Sequence, residues 1–219
     1  YNKRAHVYKV NIQTKKFTKI IDGDAKDIIS IESLVEGEKG LVLSFDQYNS
    51  KGTMLEEKIG TIEGSKIKEI YSQGSMGNLF YYEDGLHAVG MRKRFDWPTN
   101  TTVLKISNTG KISYKYRSFD RNIVKAEVNE AILYFLYEDS GKTLLRDGTN
   151  NIDLINSEVT VKDFAFNDEK TYVVANSFSN PDEIYELNNG QLTKISKANE
   201  FFTKKVKTWD CQYERIDTG

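Results

Sequence analysis

Apolar and polar positions along this chain trade places in short runs: "HVYKVNI", "KGLVLSF", "EKIGTIE", "NLFYYEDG", "TTVLKIS", "AILYFLYE", "VKDFAFNDE" and "TYVVANS". Gly, Asn, Asp and Ser separate them. A period of two, or a short apolar run bounded by turn residues, predicts β-strands that bury one or both faces. No long stretch places apolar residues at i, i+3, i+4 and i+7 between caps, so helix is expected in less than about a tenth of the chain. The pattern predicts an all-β protein.

The runs recur with a period. Five hairpin-like pieces align: "VNIQTKKFTKI", "GTIEGSKIKEI", "KISNTGKISYK", "RDGTNNIDLI" and "ELNNGQLTKI". Their first apolar residues after the turn are Phe17, Ile67, Ile112, Ile152 and Leu192, spaced 50, 45, 40 and 40 residues apart. A four-stranded propeller blade repeats at about 40–50 residues. A β-sandwich also strings short strands together but rarely with so regular a self-similarity. In a propeller each sheet buries its faces against its neighbours. The expected units are a partial blade at 1–21 and blades at 25–71, 76–117, 122–156 and 160–196, with first strands near 27–35, 76–83, 122–129 and 160–167. This makes about four and a half blades of a ring of roughly six or seven. The last unit supplies four strands from one continuous stretch, "TVKDFAFNDE", "KTYVVANSF", "DEIYELNN" and "QLTKISK".

Charge narrows the partners. The 31 basic and 32 acidic residues are interspersed, with a formal net charge of −1, so no bulk positive field recruits nucleic acid or an anionic membrane. Aromatic residues at 12% argue against disorder. Cys211 is the single cysteine, which excludes an internal disulfide and favours a reducing, cytoplasmic setting. No run approaches the ~20 apolar residues of a membrane-spanning helix.

Candidate chemistry is sparse. A hydrolase nucleophile elbow needs Gly-x-Ser-x-Gly with Asp and His following. "SQGSMG", Ser72 to Gly77, has the wrong spacing and reads as a connection between blades. With only His6 and His87 available, no catalytic triad is expected in this chain, and Cys211 reads as structural. No metal site or cofactor is expected either: cysteine pairs are absent, and "DGDAKD" at Asp22–Asp27 lacks the downstream Glu of an EF-hand and reads as a turn. "YEDSGKTL" matches the Asp-box of sialidases at Asp139, Gly141 and Thr143 but lacks its Ser and Trp. "GMRKRFDWPTN" carries Arg92, Arg94, Asp96 and Trp97, a basic-aromatic loop in which Arg holds carboxylates bidentately and Trp offers a stacking face. These four are the candidate substrate or interdomain contacts.

The C-terminal stretch "SFSNPDEIYELNNGQLTKISKANEFF" resembles the last propeller blade of prolyl oligopeptidase family serine peptidases, in the acylaminoacyl-peptidase-like branch, with trilobed-protease-type enzymes as relatives. Pro181, Glu183, Ile184, Tyr185, Gly190, Leu192, Thr193 and Asn199 carry the resemblance. "KVKTWDCQYERIDTG" is similar to the segment that crosses into the α/β-hydrolase domain, although Ile216-Asp217-Thr218-Gly219 departs from the usual Asp-Gly turn. The resemblance implies a propeller over 1–199 and a linker over 200–219, with Trp209 and Tyr213 docking on a neighbouring domain. It implies a non-catalytic domain that caps a hydrolase active site of the same polypeptide and filters peptide substrates by size. A stand-alone TolB-like binding scaffold shares the hairpin periodicity and is the alternative. A sialidase-like propeller is a more distant one, and oligomeric state is left open.

Overall fold

The computed structural model describes residues 4–37, 40–72, 74–83, 85–91, 100–114, 119–167 and 170–206. By contacts the chain divides into two compact units, Tyr1–Ala131 and Ile132–Gly219. Among the described residues, eighteen strands and two short helices follow one another. A two-stranded sheet opens the chain, β1 (Val7–Val10) with β2 (Phe17–Ile21), and leads into the single turn α1 (Gly23–Lys26). Four antiparallel sheets of four strands follow. The first holds β3 (Ile28–Gly37), β4 (Gly40–Tyr48), β5 (Leu55–Glu63) and β6 (Lys66–Tyr71). The second holds β7 (Ser75–Tyr82), β8 (Gly85–Met91), β9 (Thr102–Ile106) and β10 (Ile112–Tyr114). The third holds β11 (Ile123–Asn129), β12 (Ile132–Asp139), β13 (Lys142–Asp147) and β14 (Ile152–Asp153). The last holds β15 (Thr160–Asn167), β16 (Lys170–Ser177), β17 (Asn180–Asn188) and β18 (Gln191–Lys194), and α2 (Glu200–Lys205) follows it.

Each sheet is a meander of strands consecutive in sequence, the architecture of a β-propeller seen in part. The expected first strands appear as β3, β7, β11 and β15. Phe17, Ile67, Ile112, Ile152 and Leu192 each fall on the first or second residue of a sheet's final strand. Tight turns set the register. Ser140–Gly141, in the Asp-box-like stretch, and Asn189–Gly190 both have positive φ (50° and 77°; 49° and 79°), the two-residue hairpin turn whose twist matches the flanking strands.

Cores form between successive sheets. Val7, Ile21, Ile28, Leu43 and Phe45 join the two-stranded sheet to the first four-stranded one. Val42, Ile59, Met76, Leu79, Leu86, Ala88, Leu104 and Ile106 join the first to the second. In the C-terminal unit, Leu136, Leu145, Val161, Phe164, Val173 and Ala175 join β12 and β13 to the last sheet. Val42 and Leu43 are adjacent on β4 yet enter different cores. A second strand buried on both faces must be apolar at consecutive positions, which is why "KGLVLSF" does not alternate.

Polar stitches add to these cores. β7 carries a bulge between Gly77 and Leu79. There Asn78, at φ 39°, accepts the Ala126 N–H of β11 at 2.5 Å, while the Leu79 N–H donates to the Ser33 hydroxyl of β3 at 2.9 Å. One bulge thereby ties its strand to the first strands of two other sheets. Bulges expose a backbone group that the ladder would otherwise consume.

Three local expectations differ from the structure. "DGDAKD" is not a plain turn: Asp22 caps α1 by accepting the Asp24 N–H, and Asp27 ends it in the left-handed conformation. Ser75, Met76 and Gly77 belong to β7 rather than to a connection. Residues 200–205, expected as irregular linker, form α2, supported by an ion pair of Glu200 with Lys204 one turn on, at 2.9 Å. Cys211, Trp209, Tyr213 and the turn at 216–219 lie outside the described residues. No described helix is long and apolar enough to cross a membrane.

Candidate functional site

The loop carrying Arg92, Arg94, Asp96 and Trp97 lies outside the described residues, but both of its feet are described. β8, upstream, is nearly all buried. Its His87 is enclosed, stacked on Phe80 at 5.7 Å and met edge-on by Tyr82 at 5.8 Å, with Nδ1 3.0 Å from the Gly85 carbonyl. A histidine so placed is part of the core. Downstream, the Thr101 hydroxyl donates to the Ile123 carbonyl at 2.8 Å, and the Ile123 N–H donates to the Thr101 carbonyl at 2.9 Å. Both flanks of residues 92–99 are thus tied into the sheets.

His6, Asp22 and Asp24 come together, their ligand-type atoms within 4.8 Å of one another. Sequence reading missed this grouping because His6 precedes β1 and the two acids follow β2. The Gly23 N–H donates to His6 Nδ1 at 3.0 Å. Nδ1 is thereby occupied as an acceptor, and the ring proton belongs on Nε2, which lies 3.8 Å from an Asp24 oxygen. Neither ring nitrogen is then presented as a free lone pair. The grouping ties the hairpin to α1.

A dense polar cluster among the described residues lies where the chain leaves the last sheet. Pro181 sits opposite the irregularity between Ala175 and Ser177, where its missing N–H interrupts no ladder bond. Two residues on, Glu183 is 2% exposed. Its carboxylate accepts the Ser196 hydroxyl, the Ala198 N–H at 3.1 Å and the Asn199 N–H at 2.9 Å, and pairs with the Lys194 ammonium at 3.2 Å. The Ser196 hydroxyl oxygen in turn accepts the Ile184 N–H at 2.8 Å. Asn199 stands at the N-cap of α2, but its side chain makes no cap bond. Instead its amide donates to the Asp182 carbonyl at 2.6 Å. Glu183 and Asn199, two residues on which the sequence resemblance rests, thus meet in space.

The Ser196 hydroxyl above all holds the Glu183 carboxyl down, to about 2 from an ordinary 4.5. Burial opposes it, and the Asn199 amide, the Lys194 ammonium and the Ala198 amide assist. A carboxyl lowered on folding stabilises the fold above its ordinary pKa and loses that contribution as pH falls through the lowered one. The difference in urea midpoint between the wild type and Glu183→Gln is therefore expected at full size above about pH 5 and to shrink from about 4.5 towards 2. A difference constant down to pH 2 would contradict the assignment.

This fold has counterparts among solved structures. No protein-family model matches the chain, and no curated protein matches it at a significant level. An acylaminoacyl peptidase of Pyrococcus horikoshii aligns over 92% of the chain with a TM-score of 0.63 at 15% identity. The β-propeller domain of the trilobed protease of Pyrococcus furiosus aligns over 89% with a TM-score of 0.59 at 12% identity, and an open velcro topology is reported for it. A puromycin-hydrolyzing peptidase of Mycobacterium tuberculosis aligns over 82% with a TM-score of 0.60 at 12% identity. The fold is that of the β-propeller domain of these peptidases. The chain spans 33% of the length of the acylaminoacyl peptidase and 76% of the trilobed-protease propeller chain.

Proposed function

We propose that this chain is the non-catalytic propeller portion of a serine peptidase of the prolyl oligopeptidase type. It caps the active site of an α/β-hydrolase domain in the same polypeptide and admits short or flexible peptides. The carrying observation is the likeness to an acylaminoacyl peptidase over 92% of this chain but only 33% of that one. The Pro181–Asn199 motif adds to it. On this reading residues 1–199 are the propeller, 200–219 lead towards the hydrolase, and the enzyme works in the cytoplasm. A TolB-like scaffold is the competing reading.

Strand direction supports a side for the substrate contacts. In a meander, the connection from second to third strand leaves the same end of the sheet as the chain following the fourth. The Arg92/Arg94/Trp97 loop joins a second strand to a third, so this reading sets it on the hydrolase side. There the guanidinium groups would hold a substrate carboxylate, with Asp96 orienting them and Trp97 as a stacking face.

Two measurements test the proposal. The 219-residue chain should stay unlabelled by a fluorophosphonate serine probe, whereas the full polypeptide should take one label per chain. In that polypeptide, Arg92→Ala with Arg94→Ala should raise KM for peptides by roughly tenfold and leave turnover of a small ester unchanged. A reading frame without Gly-x-Ser-x-Gly beyond Gly219, or label on this chain, removes the peptidase reading. Wild-type KM in the double variant removes the loop's role alone.

A further inference from the structure

The buried charged side chains among the described residues are Asp147 and Glu183. They do different work. Asp147 serves its own turn, accepting the backbone and side-chain N–H groups of Asn150, both at 2.8 Å. Glu183 reaches 13 to 16 residues along the chain, to Ser196, Ala198 and Asn199. A buried carboxylate is costly unless donors surround it, and every donor it gains beyond Lys194 comes from the segment that leaves the sheet.

What that segment lacks is equally informative. α2 has six residues and buries none of them; Phe201 is 72% exposed and Phe202 44%. An isolated helix of that length is not stable in water, and without a buried face packing does not hold it. The contacts that fix its start are the Glu183 clamp and the Asn199 amide on the Asp182 carbonyl. Just beyond the ladder, the Ile195 N–H donates to the Ile184 carbonyl at 2.9 Å, so the path from sheet to clamp is continuous.

We propose that Glu183 is a latch. Its carboxylate gathers the amides of Ala198 and Asn199 and the Ser196 hydroxyl, and so fixes the direction in which the chain leaves the last sheet and the start of α2. Glu183 is thereby a positioning residue for whatever follows α2. The proposal rests on this chain's own contacts and stands or falls without the peptidase reading. It also gives a physical reason for Glu183 and Asn199 to occur together: each holds the other's backbone neighbourhood.

Amide hydrogen exchange on the full 219-residue chain tests it, comparing the wild type with Glu183→Ala. The expected result is local. Protection at Ala198, Asn199, Thr203 and Val206 falls by at least about tenfold, trypsin cuts faster after Lys197, and amides of β15 and β16 keep their protection. Unchanged protection at 198–206 overturns the latch. An equal loss across the whole last sheet also overturns it, because Glu183 would then be a structural member of the sheet only. Should Glu183→Ala not fold, Ser196→Ala removes the hydroxyl alone and is judged by the same two outcomes.

Discussion

Replacing Leu145 by alanine should destabilise the protein by about 2–5 kcal/mol, lowering the melting temperature by roughly 5–15 °C. Leu145 is 0% exposed on β13 and faces Leu136 across the ladder. It shares its core with Val161, Phe164 and Val173 of the last sheet. Removing its isobutyl group forfeits the transfer free energy of the lost carbons and leaves a cavity between two sheets. Such sheets relax poorly because each is pinned by its own hydrogen-bond ladder. Thr193→Ala, at an exposed position of β18, is the control and should stay within about 0.5 kcal/mol. Urea unfolding with an unchanged m-value measures both. A loss below about 1 kcal/mol for Leu145→Ala would mean that the two sheets do not depend on this core.

Asn78→Ala should cost about 2–5 kcal/mol from two separable sources. The Ala126 N–H, on a residue 1% exposed, would lose its acceptor, at about 1–3 kcal/mol. Alanine would also inherit the φ of 39°, where a β-carbon crowds the following carbonyl, at about 1–2 kcal/mol. Asn78→Gly relieves the second and not the first, whereas Asn78→Asp keeps an acceptor. The expected order of stability is wild type, then Asp, then Gly, then Ala. Wild-type stability in the glycine variant would show that the bond from β11 contributes nothing.

Much of the fold was legible because strand signals are local. The alternation in "VKDFAFNDE" and the Asn189–Gly190 turn depend on residues within a few positions of one another, and β15, β17 and β18 appear where those signals place them. The repeat marked by Phe17, Ile67, Ile112, Ile152 and Leu192 was legible for the same reason, since each sheet ends in a hairpin of consecutive strands. α2 escaped notice because six residues are too few for helical periodicity to register. Its visible traces are Asn199 at the N-cap and the Glu200–Lys204 spacing. Ser75–Gly77 reads as a connection because two glycines in a short stretch mimic a loop, whereas the three residues lie in β7 just ahead of the bulge at Asn78.

The candidate site divides along the same line. The types and order of its residues, Pro181, Glu183, Leu192 and Asn199, could be read directly from the chain, whereas residues 92–99 lie outside the described ones. That Glu183 would lie buried against Ser196, Ala198 and Asn199 could not. An acid in a strand is by default a solvated one, and only the pairing of β17 with β18 brings residues 13 to 16 positions apart onto one side of the sheet. The grouping of His6 with Asp22 and Asp24, and the reach of Asn78 to Ala126, needed tertiary structure as well. Sequence by itself determined strands, turns and their repeat, because those follow from neighbouring side chains and backbone preferences. Tertiary structure decided which polar groups lost water and found one another, because that depends on register and on how sheets pack.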